Sequence, residues 1–579
     1  MSEKKKKKFT NQKSFYFEDY DYDFRNRLNK TRLNITEERI YLLFFVFFSL
    51  ILIFTIKIFS TSLQESNFRN SQNYYGTIFK PLRTDILDRN GVPIAKNVRV
   101  YNAAIKPNLI KNKKKFILKL KLLYPEFDAL NIKKNLEKDK YFYLKKNISE
   151  DERLKLWSLG EKGILFETTQ TRIYPHKSLF SHVLGQIDDD NKGISGLEKS
   201  FNNQLKSNKE PITTTLDANV QFLIREELIK FQKIFKNIGS ASILMDANNG
   251  EILSMVSLPD FDINKRKTIK DLNYINRATK GVYELGSVFK TFTLAGALNE
   301  GVVETNTEFK NLPKEITCAG KPIGEYDNKI PSDLTAEQIL IRSGNIGSVR
   351  IGQKIGSEKM RNFLENIGVL SKIKFDIEEV GEPISFRWGK CKLATASFGH
   401  GITTTLLQLA KGYSIISNGG FNINPTLIKK KEKESKNIRI LNKHVSSKIN
   451  PILRKIVSTK EGTANFANIE GFEVGGKTGT AQKSFNGVYS KNKINTFVAV
   501  FPISKPQYIL IVLLDEPKPN KDYIYHYKDG SGWKYKGTPY NTAGWTSVEI
   551  AGKIIEKIGP ILAINKIDFY DKHVVKKSY

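Results

Sequence analysis

Cysteine is nearly missing from this chain: Cys318 and Cys391 are the only 2 in 579 residues. That is too few for a disulfide framework, and the sequence leaves open whether the two pair with each other. The 6 histidines (His176, His182, His400, His444, His526, His573) show no His-Glu-x-x-His spacing, and no Cys-x-x-Cys accompanies them, so the usual metal-site patterns are lacking. Acidic residues are in deficit, 60 Asp and Glu against 93 Lys and Arg, for a net charge of +33. A basic excess of this size raises nucleic-acid binding. No zinc-finger, RNP or helix-turn-helix spacing supports that class. The basic residues are spread along the whole chain and travel with an excess of Asn, Ile, Phe and Tyr, the set that A/T-rich codons encode, so compositional drift accounts for the charge.

The length predicts two or three domains. Residues 1–39 are polar and open with Lys4-Lys5-Lys6-Lys7-Lys8. An uncharged apolar run follows from Ile40 to Ile56, with Lys57 placed to snorkel before Ile58-Phe59, which predicts a membrane anchor over 40–59. The basic N-terminus should stay in the cytoplasm, sending everything after residue 60 across the membrane. A cleaved signal peptide competes, with Ser60-Thr61-Ser62 as its small-residue site, but its apolar core would be shorter. Attraction of the basic chain to anionic lipid or cell-wall polymer is compatible with this placement.

Residues 60–225 mix short strand-like runs with helical patterns and hold no catalytic constellation. Asp88-Arg89-Asn90-Gly91 is a hairpin turn signal, and Lys111 to Leu122 reads as a solvated helix. Near Thr214-Thr215-Leu216-Asp217 the pattern changes and a new domain begins. Ala241 to Asp246 and Glu251 to Ser257 are apolar runs joined by Asn248-Asn249-Gly250, a predicted β-hairpin. Thr335-Ala336-Glu337-Gln338 reads as a capping box opening a helix that ends near Ser343, leaving Ser343-Gly344-Asn345 on a turn. Phe472 to Thr480 reads as a glycine-rich edge strand to which an extended peptide could add, and Thr496 to Phe501 with Tyr508 to Leu514 as a further hairpin. Residues 566–579 read as a polar tail.

The chemistry concentrates in Tyr283-Glu284-Leu285-Gly286-Ser287-Val288-Phe289-Lys290, where a helix should start near Ser287. Residues three apart share a helix face, so the Lys290 amine can take the Ser287 proton if it is itself neutral. The first helical turn also offers free N–H groups for a developing oxyanion. Ser-x-x-Lys alone arises by chance in a lysine-rich chain, and Ser343-Gly344-Asn345 or Lys477-Thr478-Gly479-Thr480 alone would be routine turns. The three in this order match the signature of penicillin-binding proteins and serine β-lactamases, Ser-x-x-Lys, Ser-Asp-Asn and Lys-Thr-Gly.

The resemblance covers nearly the whole chain. Arg83 to Gly91, Arg172-Ile173-Tyr174-Pro175, His182 to Gly185 and Gly193 to Glu198 resemble the non-catalytic pedestal of class B penicillin-binding proteins. Ser397-Phe398-Gly399-His400-Gly401, Leu407-Gln408-Leu409-Ala410, Gly475 to Lys483 and Ala543-Gly544-Trp545-Thr546 resemble the division-specific FtsI type most. Leu285 stands where proline is usual, His400 where tyrosine is common, and Gly344 where the general signature has Asp.

The resemblance implies an α+β multidomain chain: a cytoplasmic basic tail (1–39), a transmembrane helix (40–59), a mixed α/β pedestal (60–225), a transpeptidase domain with an antiparallel sheet flanked by helices (226–565), and the tail. It implies acyl transfer in the periplasm by a chain anchored in the bacterial inner membrane, with no metal or organic cofactor. Ser287 would be the nucleophile, Lys290 the base, Ser343 a proton relay and Asn345 a hydrogen-bonding partner of the donor peptide. Lys477, Thr478, Gly479 and Thr480 would form the strand that binds the substrate carboxylate, with the N–H groups of Ser287 and Thr480 as oxyanion hole. A lysine at its ordinary pKa of about 10.4 is a poor base at neutral pH. Burial and the like charge of Lys477 are expected to depress that of Lys290. Implied partners are peptidoglycan stem peptides, β-lactams, a membrane-embedded glycan polymerase of the FtsW type and other division proteins, with no nucleic acid. Four alternatives remain: a bifunctional class A enzyme, a class D β-lactamase or β-lactam sensor, an elongation-specific class B enzyme, and a catalytically dispensable division scaffold. The class A enzyme would need a glycosyltransferase domain, and a free β-lactamase would need neither anchor nor pedestal.

Overall fold

The computed structural model describes residues 39–60, 82–207, 210–265, 272–429, 438–485, 488–527 and 530–575. The basic tail except Arg39, the Thr61-Ser62 part of the small-residue site, and residues 61–81 and 576–579 therefore lie outside the described residues. Residues 1–80 and 81–579 form two separate compact units.

In the first unit Arg39–Ser60 is one 22-residue helix whose most apolar 18-residue stretch has a mean hydropathy of 2.7. At 1.5 Å per residue it is long enough for a hydrocarbon core of about 30 Å. Its apolar side chains, Phe44, Phe47 and Phe54 among them, are exposed. Such a surface suits lipid and would be costly in water.

Among the described residues the second unit contains two five-stranded sheets and three two-stranded ones. In the first, the 13-residue strand Pro93–Ile105 pairs antiparallel with Ile164–Ile173, Phe142–Ile148 and Ile86–Leu87. Ile86–Leu87 also pairs in parallel with Ile212–Thr213. The helix Lys113–Leu123 is amphipathic rather than wholly solvated: Phe116 and Leu120 are buried with Leu136, Ile148 and Leu156 in a small core of their own. Three of the pieces carrying the pedestal resemblance meet in one buried ion network of Arg83, Arg172 and Glu198. Glu198 takes Arg83 at 2.7 Å and Arg172 at 2.8 Å, and Arg172 also donates to the Thr84 carbonyl. Charges fully removed from water persist only when each is paired, so loss of one partner would leave another buried and uncompensated.

The second sheet runs Gly475–Phe485, Val488–Phe501, Tyr508–Asp515, Gly239–Asp246, Ile252–Leu258, with every neighbouring pair antiparallel. Side chains alternate between faces, yet nearly every residue of Gly239–Asp246 and Tyr508–Asp515 is buried, so helices cover both faces. The helices Ala218–Phe235 and Ser547–Val575 pack on each other and on the sheet, as do Leu406–Ser417 and Lys443–Ser458. Gly475–Phe485 lies at the sheet edge and leaves one row of backbone groups unpaired by neighbouring strands.

Two boundaries shift from expectation. The 225/226 division falls inside Ala218–Phe235, whose Val220, Ile224, Leu228, Phe231 and Phe235 are all buried, so the helix belongs with the second sheet from its Asp217 N-cap onward. Ser547–Val575 continues through most of the expected polar tail. Polarity does not by itself break a helix, because straight-chain polar residues are good helix formers. The structure also resolves the pairing the sequence left open. Cys318 and Cys391 form a disulfide, Cα to Cα 5.6 Å, joining the hairpin Glu315–Cys318/Lys321–Gly324 to the helix Lys390–Ala396.

Candidate active site

Ser287 occupies a 3₁₀ turn, Gly286–Val288, that leads into the helix Phe289–Asn299. Close backbone approaches fix this turn. A Cβ on Gly399, at φ +86°, would lie 1.9 Å from the Gly286 carbonyl oxygen, and a Cβ on Gly479 would lie 2.2 Å from that of Leu285. Both positions must be glycine for the three segments to meet. Thr293 Oγ1 donates to the Ser397 carbonyl at 2.8 Å, and the Tyr413 hydroxyl is 2.8 Å from the Val288 carbonyl and 2.9 Å from Thr291 Oγ1. The nucleophile's helix is thereby tied to the 397–401 segment and to Leu406–Ser417. Thr405 and Gln408 cap the latter with a reciprocal capping box.

Lys290, 1% exposed, points from this helix to the second motif. Its Nζ donates to the Ser343 carbonyl, to Ser343 Oγ at 3.2 Å and to Asn345 Oδ1 at 2.7 Å. From the edge strand, fully buried Lys477 donates to the same Ser343 Oγ at 2.8 Å and to the Thr478 carbonyl at 3.2 Å. One hydroxyl therefore sits between two amines. Ser343 has φ +57°, a left-handed conformation that costs a non-glycine residue energy and is held by its surroundings. Half-buried Ser287 makes no Oγ hydrogen bond to Lys290 in this arrangement, although both lie on the expected helix start. Thr335 and Gln338 form the expected capping box, and the helix Ala336–Ile341 ends two residues before Ser343. Asn345 differs from expectation: it begins the next helix, Asn345–Ile355, so the tripeptide spans a link and a helix N-terminus.

Burial pushes the Lys290 ammonium down to about 7, opposed by the charge of Glu325. Burial also places Lys477 well below the usual lysine range, with the charge of Lys290 adding to the effect. Burial thus depresses Lys290 as expected, whereas the like-charge effect expected beside it acts on Lys477.

Glu325 was not singled out by the sequence. Its two carboxylate oxygens accept from the Asn345 N–H at 2.6 Å and the Ile346 N–H at 2.9 Å, capping the helix that starts at the motif asparagine. Asn345 Nδ2 donates to the neighbouring Gly324 carbonyl at 2.8 Å, which leaves its amide oxygen for Lys290. The same carboxylate accounts for Gly344: a Cβ there would lie 3.5 Å from Glu325 Oε1, so an aspartate would set two carboxylates side by side. Glu325→Gln should keep the fold but lower Ser287 acylation several-fold. Removing an anion that favours the Lys290 ammonium should also move the acylation midpoint to lower pH, a shift that stopped-flow rates across pH would detect.

On the edge strand, Thr478 Oγ1 meets Thr463 Oγ1 at 2.7 Å, and Thr480 Oγ1 accepts from the Ala543 N–H at 2.9 Å, which leaves the Thr480 hydroxyl hydrogen for a ligand. A Cβ at Gly286 would be 2.8 Å from the Thr480 carbonyl oxygen, so that carbonyl faces the nucleophile's turn. In an antiparallel ladder a residue's N–H and C=O point the same way, which turns the Thr480 N–H toward the same side. Among the described residues no group of three or more His, Cys, Asp or Glu side chains is placed to hold a metal ion.

Comparison with known proteins places the chain in one family. Residues 240–531 match the penicillin-binding protein transpeptidase domain, and residues 78–232 match the penicillin-binding protein dimerisation domain. The chain is 28% identical over 499 residues to the probable peptidoglycan D,D-transpeptidase FtsI of Caulobacter vibrioides, covering 84% of this chain and 82% of the relative. It is 32% identical over 340 residues to the probable peptidoglycan D,D-transpeptidase PenA of Neisseria flavescens, 58% of this chain and 83% of the relative. A crystal structure of a peptidoglycan synthetase from Bifidobacterium adolescentis superposes with a TM-score of 0.63 at 20% identity, covering 84% of this chain and 96% of that one, a likeness of fold.

Proposed function

This chain belongs to the penicillin-binding protein transpeptidases, and on that premise we propose that it is a class B peptidoglycan D,D-transpeptidase of the FtsI type that works through an acyl-enzyme on Ser287. The observation that carries the mechanism is the buried amine of Lys290, depressed to about 7 beside a hydroxyl shared with Lys477. Neutral Lys290 has two N–H bonds, which the Ser343 carbonyl and Asn345 Oδ1 accept. Its lone pair, released from the Ser343 Oγ contact at 3.2 Å, takes the Ser287 proton. The alkoxide adds to the carbonyl of the D-Ala-D-Ala bond, and the oxyanion is held by the N–H groups of Ser287 and Thr480. Ser343, between the two amines, passes a proton to the leaving nitrogen, so D-alanine departs and the stem peptide remains as an ester on Ser287. An amine of a neighbouring stem attacks the ester, forms the cross-link and returns the proton to Ser287. Lys477 with the hydroxyls of Thr478 and Thr480 receives the terminal carboxylate of the donor. A β-lactam presents a strained amide and a carboxylate to the same groups and is taken up as a substrate mimic.

The Arg39–Ser60 helix supports anchoring by a single span. The basic run before it keeps the N-terminus cytoplasmic and places the catalytic unit in the periplasm, against the inner membrane. Residues 78–232 match a dimerisation domain rather than a glycosyltransferase. This enzyme therefore cross-links glycan strands made by a separate polymerase, of the FtsW type, among other division proteins. Its role is septal, as the FtsI name of the Caulobacter relative supports. Depletion in the native organism is expected to give filaments with stalled septa and a fluorescent fusion to gather at midcell. Rounded cells with normal septation would assign the enzyme to side-wall elongation.

A further inference from the structure

Glu284 lies three residues before the nucleophile and takes no part in the chemistry described above. Its Oε2 accepts from the Gly401 N–H and from the Tyr489 hydroxyl, both at 3.0 Å. Its Oε1 makes no hydrogen bond among the described residues, and the side chain is only half-buried. The protein's own cations nearby are committed elsewhere. Lys392 donates to the Gly401 carbonyl and lies 4.0 Å over the Phe386 ring, without forming an ion pair with Glu284. Lys290 is turned to Ser343 and Asn345.

Aromatic rings wall this corner. The His400 ring is 5.8 Å from that of Tyr489 and 5.0 Å from that of Phe398, and Tyr489 is exposed. Burial and the charge of Lys290 lower His400 and the charge of Glu284 raises it, with burial the largest influence. The imidazole therefore adds no competing positive charge at neutral pH. The corner thus combines a half-open carboxylate with ring faces that attract cations. Three residues of extended chain span at most about 11 Å, which puts it within reach of a side chain on a peptide bound at Ser287.

We propose that Glu284, walled by Tyr489 and His400, is a subsite for an ammonium group on the donor stem peptide, the side-chain amine of the diamino acid that precedes the D-alanine held on Ser287. The proposal rests on the acyl-enzyme reading and adds to it a selectivity for donors whose side-chain amine is free and charged. Glu284 is a specificity-determining residue here: it touches a remote part of the substrate and no reacting atom.

The test uses the full chain in detergent and two synthetic peptide thioesters that differ only at the lysine before the acyl D-alanine, one with a free side-chain amine and one with that amine acetylated. Acylation of Ser287 is followed by intact-protein mass spectrometry, and the readout is the ratio of the two rates within each protein, so a general loss of activity in a variant cancels. The wild type should prefer the free amine by about tenfold, the effect of a charge-assisted contact worth roughly 1.4 kcal/mol. In Glu284→Gln the ratio should fall close to one, and in Glu284→Asp, which keeps the charge, part of the preference should return. A ratio near one in the wild type, or one that survives Glu284→Gln, would overturn the subsite. Failure of the wild type to form any Ser287 adduct, with either thioester or with penicillin, would instead overturn the acyl-enzyme reading.

Discussion

Ser287→Ala is expected to lose every trace of covalent drug: intact-protein mass spectrometry should find one benzylpenicillin adduct on the wild type and none on the variant. The reason is chemical rather than structural. The acyl group must be held by an oxygen nucleophile, and among the buried hydroxyls of the site Ser343 is already committed to two lysines, Lys290 at 3.2 Å and Lys477 at 2.8 Å. Ser287 stands half-exposed, within reach of Lys290, on a turn braced by the backbones of 399 and 479. Removing one oxygen from a half-exposed side chain leaves that bracing intact, so the variant should melt close to the wild type. On the wild type the adduct should reverse slowly, because no dedicated deacylation base faces Ser287 in the site described above. A persistent adduct on the variant, or fast turnover of the drug by the wild type, would contradict this.

Lys290→Arg is expected to lower acylation about a thousandfold, within the range removal of a general base produces. Guanidinium stays protonated at any accessible pH and cannot accept the Ser287 proton. Its charge would also be placed at a position 1% exposed, where the lysine is tolerated because it readily becomes neutral. Near-UV circular dichroism separates the two consequences. A folded variant with a tenth or more of the wild-type rate would move the base to another residue.

The three motifs were legible in the sequence because acyl transfer fixes both their residue types and their order along the chain. The supporting side chains were less so, for a physical reason. Glu325 works by accepting two backbone N–H bonds across a chain reversal, and nothing in its neighbours Gly324 and Tyr326 signals that. Pairing of Cys318 with Cys391 depends on a hairpin and a helix meeting across 73 positions. Boundaries were read from composition, and composition misleads where a helix such as Ala218–Phe235 directs its apolar stripe into the neighbouring sheet. Of the two causes expected for the lysine shift, burial acts on Lys290 and the like charge acts on Lys477; the motif shows both charges, but the depth of burial exists only once the helix Phe289–Asn299 has packed into the core.

The pH dependence of Ser287 acylation by benzylpenicillin, measured on the wild type from pH 5 to 10, tests Lys290 as the base most directly. Activity belongs to the neutral form of Lys290, so with the amine depressed to about 7 the rate should be flat above pH 8. Below the midpoint it should fall about tenfold for each pH unit as the amine takes up a proton. A rate that stays flat to pH 5, or one that keeps climbing toward pH 10 as an ordinary lysine would dictate, would contradict a buried, neutral Lys290 as the base.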